Sequence, residues 1–190
     1  MSTAAASYTW IDLEMTGLDS HSDRLLEVAM IVTDERFAEL SSYHAYVKND
    51  VAELQPRFAQ NAFWQAYPKN MNHFLQQATS GQTLTEIDTV LVSLIDQYRE
   101  ADTPMILAGN SVHADRRFIE RWLPETFSCL HYRQLDVSSW KVVMESRYGL
   151  HYQKANTHRA LDDIKESMTE LQYYLDRFDQ QVVVTDVSRQ

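Results

Sequence analysis

Trp10-Ile11-Asp12-Leu13-Glu14-Met15-Thr16-Gly17-Leu18 is the stretch on which the fold turns. Ile11, Leu13 and Met15 alternate with polar or charged neighbours, the period of a half-buried strand. Residues two apart on a strand leave the same face, so Asp12 and Glu14 project together, their carboxylates about 7 Å apart. Thr16-Gly17 turns the chain at once, which places both acids at the carboxyl end of a strand, where open α/β sheets carry their sites. Taken alone, an Asp-x-Glu pair is more often a solvated strand face than a site.

The pattern outward from this strand sets the fold class. Leu25 to Thr33 is a nearly continuous apolar run, the mark of a buried strand, and Tyr43 to Val47 completes a meander. Thr83-Leu84-Thr85-Glu86 has capping-box form, and Leu84, Ile87, Val90, Leu91, Leu94, Ile95 and Tyr98 then recur at helical spacing. Pro104 to Ala108 reads as a short buried strand ending at Gly109-Asn110. A helix from Ala114 to Trp122 stops before Pro124. Leu130 to Val137 holds a strand, Asp136 caps a helix ending near Gly149, and the last long helix runs from Thr157 to Phe178. Beyond Gln180 the expectation is one added strand, Val182 to Thr185. Strands first, then strands mixed with helices, give an α/β fold with a mixed sheet.

The totals fit that fold. A chain of 190 residues, 44% of them apolar, buries one core, with no repeat or Gly/Ser linker to divide it. Residues 8–180 are read as the domain, 1–7 as a flexible N-terminus and 181–190 as a tail. The single cysteine, Cys129, excludes an intrachain disulfide. Met1 to Thr9 lack the basic and apolar regions of a signal peptide, and no apolar run could span a bilayer, so a cytoplasmic protein is expected. A net charge of −10 argues against a binder of long nucleic acid, whose affinity rests on a basic surface. It leaves room for a nuclease of short oligomers whose positive charge comes from metal ions.

Three further groups bear on chemistry. Phe118, Ile119 and Trp122 define an apolar helix stripe, and Asp115 falls inside it while Arg116 and Arg117 point away. A carboxylate on a buried face is costly unless paired or metal-bound, although a first-turn Asp also satisfies the helix dipole. In the last helix Leu161, Ile164, Met168, Leu171, Leu175 and Phe178 form the stripe; Asp163 borders it and Asp162 lies nearly opposite. Asp163 can therefore face a sheet-borne site. His158, at the helix start, is by itself ordinary polar surface. Together, four carboxylates make hard oxygen ligands for Mg²⁺ or Mn²⁺. Two such ions about 4 Å apart would clamp a phosphodiester, and a histidine near neutrality could take the proton of the attacking water.

The order Asp-x-Glu, a mid-chain Asp, then His158-Arg159-Ala160-Leu161-Asp162-Asp163 resembles the DEDDh exonucleases. Within them the longer strings are closest to the oligoribonucleases: Trp10 to Leu18, Gly109-Asn110-Ser111, Asp115-Arg116-Arg117-Phe118, His131-Tyr132-Arg133 with Leu135-Asp136-Val137-Ser138, and Thr157 to Ile164. The match runs from Tyr8 to Phe178. The resemblance implies an RNase H-like fold, a mixed five-stranded sheet flanked by helices. It also implies hydrolysis from the 3′ end to nucleoside 5′-monophosphates, with a preference for di- to penta-nucleotides. Asp12, Glu14, Asp115 and Asp163 would hold two metal ions, and His158 would be the general base.

The resemblance extends to substrate contacts. Leu18 and Trp64 would sandwich bases, stacking worth about 1–3 kcal/mol per base; Trp64 could equally be core packing among Phe63 and Tyr67. Ser111, Arg133 and Ser138 match positions that cap a 5′-phosphate, a stop that would exclude longer chains, with Arg133 suited to bidentate pairing or to a plain surface ion pair. Tyr132 would reach the partner's site in a homodimer; as a strand tyrosine it could simply be half-buried. One segment departs from the pattern: Pro68-Lys69-Asn70-Met71-Asn72-His73-Phe74 stands where the family has a His followed by Ser-Gly-Leu, with Lys69 near the His position. A proofreading-type DNA exonuclease shares the catalytic five but lacks the phosphate-cap set and the His-Tyr-Arg segment. A catalytically dead dimeric binding module would lack at least one of the carboxylates, and a bland α/β domain would need several long matches to be accidental.

Overall fold

The computed structural model of the chain describes residues 8–101, 103–153 and 159–187, with side chains to residue 178. The expected flexible N-terminus, 1–7, and His158 lie outside the described residues.

The strand carrying Asp12 and Glu14 is β1 (Tyr8–Met15), and it forms the middle of the sheet. β2 (Leu25–Thr33) lies antiparallel beside it, buried along its whole length, and β3 (Glu39–Tyr46) pairs antiparallel with β2. On the other side β4 (Met105–Gly109) runs parallel to β1, and β5 (Leu130–Asp136) parallel to β4. The order β3-β2-β1-β4-β5 is the mixed five-stranded sheet that the resemblance implies.

Eight helices are described: α1 (Val51–Gln60), α2 (Ala62–Ala66), α3 (Pro68–Gln77), α4 (Leu84–Tyr98), α5 (His113–Trp122), α6 (Pro124–Ser128), α7 (Val137–Tyr148) and α8 (Ala160–Val187). The pleat of β1 distributes them. Ile11 and Leu13 join one core with Ile87, Leu91 and Ile95 of α4 and Phe118 and Ile119 of α5. Trp10, on the opposite face, packs with Val137 of α7 and Ala160, Ile164 and Leu171 of α8. Asp12 and Glu14 share Trp10's face, so the acids look toward α8. A third cluster joins Leu54, Phe58, Trp64, Phe74 and Ala78 of the α1–α3 region to Leu26 of β2.

Local signals account for most boundaries. Thr83 and Glu86 make the reciprocal capping box (Thr83 N to Glu86 Oε2, 2.8 Å; Glu86 N to Thr83 Oγ1, 3.3 Å). Asp136 caps α7 through Ser138 N, and Gly149 ends it at φ 64, a left-handed position that glycine adopts freely. Leu123 ends α5, as expected, yet Pro124 opens a second short helix, since proline suits a first helical position.

Two expectations are corrected. Val182 to Thr185 is no strand: α8 continues through Val187. Four successive β-branched residues favour a strand locally, but extending a formed helix adds one hydrogen bond per residue fixed, whereas a new strand must find a sheet edge. The boundary drawn at 180 therefore falls inside a helix. The segment 51–77, to which no element is assigned from the sequence, folds into α1–α3, with Pro56 inside α1. Among the described residues no helix is long and apolar enough to cross a membrane.

Asn61 ties this helical segment to the sheet. Its Oδ1 accepts from Phe63 N at 2.9 Å, capping α2, and its Nδ2 donates to Thr16 O at 2.8 Å. Asn61→Ala should lower unfolding stability by about 1 kcal/mol, seen as a reduced urea midpoint at unchanged m-value; a midpoint equal to that of the unaltered protein would contradict this tie.

Candidate active site

β1 and β4 pair only over Tyr8–Trp10 and Ile106–Ala108, and then part. From there the β4-facing side of β1 has no strand neighbour, and the crevice so opened is where the acids gather. Leu13 N donates instead to Asp115 Oδ1 at 3.2 Å. This bond draws a carboxylate from the first turn of α5, 6% exposed, against β1. The apolar stripe that places Asp115 on the buried face of α5 is thus completed by a specific backbone partner.

Asp12, Glu14 and Asp163 each offer one oxygen, and these oxygens lie within 4.8 Å of one another. Asp163 is held through α8, its N–H donating to Arg159 O at 2.9 Å. Asp162 is exposed, on the far side of the helix. The structure therefore brings together three of the sequence-predicted carboxylates and sets the fourth, Asp115, beside them.

Electrostatics show what this arrangement suits. Burial, followed by the neighbouring carboxylates of Asp115, Glu14, Asp163 and Glu27, holds the Asp12 pKa well above the ordinary carboxylate range. Burial and the carboxylates of Asp163, Glu27 and Asp115 raise Glu14 to about 8, against an opposing pull from Arg159. Burial raises Asp115 to about 7 although its backbone hydrogen bonds favour the anion. Like charges crowded into a half-dry crevice are unstable without a cation. An all-oxygen donor set of this kind fits a hard divalent ion, which would reverse the sign of each shift.

Beside the acids a cavity of about 540 Å³ is lined by Glu14, Met15, Gly17, Leu18, Asn61, Phe63 and Trp64. Leu18 is 72% exposed and stands at its mouth, while Trp64 is only 1% exposed. Trp64 Nε1 donates to Met15 O at 3.1 Å, and its ring packs edge-on against Phe58, Phe63 and Phe74. Trp64 is thus both core and cavity wall. The divergent segment Pro68 to Phe74 forms most of α3, with Pro68 at the first position and Phe74 against Trp64.

The phosphate-cap candidates fall into two groups. Ser111 Oγ and Ser138 Oγ lie 3.0 Å apart. Ser111 has φ 53, rare for a non-glycine residue, and its N–H is held by Asp136 Oδ1 at 3.0 Å. Tyr132 and Arg133 are exposed on the edge strand β5, the guanidinium 5.3 Å from the Tyr132 ring centroid.

Sequence reasoning missed Glu27, a charge inside the apolar run of β2. It is fully buried beside Glu14 in the β1–β2 register. His44 Nε2 at 2.5 Å and Arg159 Nη2 at 3.3 Å hold its carboxylate, and Ala160 N donates to it at 3.4 Å. Arg159 also reaches the Tyr46 hydroxyl. An acid in an otherwise apolar strand was the available signal, and it marks where the first turn of α8 is pinned to the sheet.

Glu14 and Asp115 have folded pKa values above their unfolded ones, so these two groups hold more protons in the metal-free fold than in the unfolded chain. The stability they contribute is full below the unfolded carboxylate pKa and is lost as pH rises through about 7 to about 8. Thermal denaturation in EDTA should show this decline. Added Mn²⁺ should raise the melting temperature most at the alkaline end, and Asp12→Asn should stabilise the metal-free protein; a melting temperature that rises with pH in EDTA would contradict the carboxylate assignment.

Residues 9–171 match the RNase_T family, described as an exonuclease. The oligoribonuclease of Dichelobacter nodosus is 36% identical over 170 residues, covering 88% of this chain and 92% of its own. That of Photorhabdus laumondii is 36% identical over 94% of this chain and 98% of its own. The human mitochondrial oligoribonuclease is 34% identical over 90% of this chain and 72% of its own. Among solved structures, exonuclease I of E. coli in a zinc-bound complex with single-stranded DNA superposes with a TM-score of 0.64 at 14% identity. That superposition covers 95% of this chain but 43% of the exonuclease chain. Exonuclease I of Methylocaldum szegediense gives 0.61 at 15%, with 87% and 39% covered. These two likenesses concern the fold. The chain belongs to the exonuclease family, and within it to the oligoribonucleases.

Proposed function

We propose that the protein is a 3′→5′ exoribonuclease that hydrolyses di- to penta-nucleotides to nucleoside 5′-monophosphates, acting in the cytoplasm as a homodimer. The observation that carries this reading is the convergence of Asp12, Glu14 and Asp163 within 4.8 Å beside a cavity that Glu14 also lines. Two divalent ions, Mg²⁺ or Mn²⁺, held by Asp12, Glu14, Asp115 and Asp163, would supply charge neutralisation at the scissile phosphate and a more acidic water. Leu18 and Trp64 wall the slot for the 3′-terminal base. His158, five residues before Asp163, is the base that takes the proton of the attacking water.

Short-substrate preference follows from a cap for the substrate's 5′-phosphate. Ser111 and Ser138, with Arg133, receive the 5′-phosphate and block the path of a longer chain. Tyr132, 71% exposed on an edge strand, reaches toward the site of a second copy. The acidic balance of the chain agrees with a substrate held by metal, stacking and one phosphate cap, not by a long basic track.

Hydrolysis of 5′-labelled RNA of two, five, seven and twenty nucleotides tests the activity. Cleavage should be fastest for the dinucleotide, abolished by EDTA, lost by orders of magnitude in Asp163→Ala and retained in Asp162→Ala. Equal or faster cleavage of the twenty-mer would replace this reading with a general exonuclease.

Dimer and Tyr132 are tested together by mixing two impaired variants, Tyr132→Ala and Asp163→Ala. A heterodimer contains one site with an intact Asp163 and an intact Tyr132 from its partner, so activity should reappear on mixing. No recovery, with subunit exchange demonstrated, would remove Tyr132 from the partner's site.

A further inference from the structure

An unbroken file of hydrogen bonds joins the two serines of the cap to the turn of α8 that bears Asp163. Ser138 Oγ donates to Asn110 Oδ1 at 3.1 Å, and Asn110 Nδ2 donates to Ser167 Oγ at 2.6 Å. Ser167 Oγ donates to the main-chain oxygen of Asp163 at 2.7 Å. Asn110 Nδ2 also reaches Glu170 Oε2 at 3.3 Å, and Tyr174 Oη donates to Glu170 Oε1 at 3.0 Å. Ser167, Glu170 and Tyr174 are buried.

Chemistry fixes the direction of every link. The single hydrogen of Ser167 is given to the Asp163 carbonyl, so Ser167 can only accept from Asn110. The Glu170 carboxylate likewise demands a donor. Both requirements turn the Asn110 amide nitrogen toward α8 and its oxygen toward Ser138. An inverted amide would set its oxygen against a carboxylate in a buried setting, where an unmatched pair is most costly. The Ser111 end is fixed as well, since Asp136 Oδ1 accepts from both Ser111 N and Ser138 N, at 3.0 and 2.9 Å.

We propose that Asn110 and Ser167 are positioning residues that set the distance between the 5′-phosphate cap and the metal-binding carboxylates, and so make the dinucleotide the favoured length. This rests on reading Ser111 and Ser138 as the cap. Neither Asn110 nor Ser167 touches the substrate. Their part is to lock β4's end, the start of α7 and the Asp163 turn into one rigid body. A substrate held at its 5′-phosphate then presents its only phosphodiester at the carboxylates. Longer oligomers, whose path the cap obstructs and whose 5′-phosphate it does not receive, do not depend on that distance.

The test is steady-state hydrolysis of 5′-phosphorylated and 5′-hydroxyl dinucleotides and of a pentanucleotide, by the unaltered enzyme and by Asn110→Ala and Ser167→Ala. Both variants should lose dinucleotide kcat by on the order of tenfold or more, as small displacements of a held substrate do. KM for the 5′-phosphorylated dinucleotide should change little, because the cap serines remain. Pentanucleotide kcat should fall less, so the length preference shrinks. Ser167→Ala leaves the cap and Asn110 in place, which guards against a folding defect in Asn110→Ala. Equal losses at both lengths, or a loss confined to KM, would overturn the inference. Indifference of the unaltered enzyme to the 5′-phosphate would overturn the cap reading and this inference with it; a length preference that survives in both variants overturns this inference alone.

Discussion

Carboxylates crowded at the end of one buried strand are the constraint from which the rest of this molecule is organised. Asp12 and Glu14 share a face of β1, Asp115 is drawn in by the Leu13 amide, and Asp163 descends from α8. Their mutual repulsion opposes folding, so the scaffold must hold them by other means. It does so with a strand between two packed helical layers, where Ile11 and Leu13 lock one face and Trp10 the other. The parting of β1 from β4 after Trp10 and Ala108 leaves the gap in which these acids sit. Rigid apolar packing thus carries an electrostatic strain that a bound cation would relieve.

The second organising element is α8. Its apolar stripe, Ile164 and Leu171 above all, seats it on the sheet, and its first turn is pinned by the contact of Arg159 and Ala160 N with Glu27. One helix thereby places Asp163 against β1 and, one turn later, Ser167 under Asn110. The carboxylates and the Ser111–Ser138 pair proposed as the phosphate cap are parts of one body. An enzyme that measures a short substrate benefits from this, because binding at one end is worth as much as the fixed distance to the other.

Much of this was legible in the sequence, for reasons that differ by element. Alternation in Trp10 to Met15 and the apolar run of β2 announce their strands because burial on one or both faces imposes those periods. The Thr83-Glu86 box and the Asp136–Gly149 pair mark helix ends because unsatisfied backbone groups demand such residues. Asp163 and Asp162 could be told apart because a helix has one buried side. The region of α1–α3 was not legible: Pro56 interrupts it, and α2 has only five residues, too few for a period to appear. Val182 to Thr185 misled because local β preference was overridden by a helix already under way. Asn110, Ser167 and Glu170 could not be read as a set, since their association depends on β4, α7 and α8 meeting in three dimensions.

The central claim, that the β1 acids and Asp163 form a divalent-cation site, is tested most directly by crystals grown with Mn²⁺ and a non-hydrolysable dinucleotide. An anomalous difference map should place manganese among Asp12, Glu14 and Asp163. Manganese bound elsewhere, with these three carboxylates protonated and paired to one another, would contradict the account.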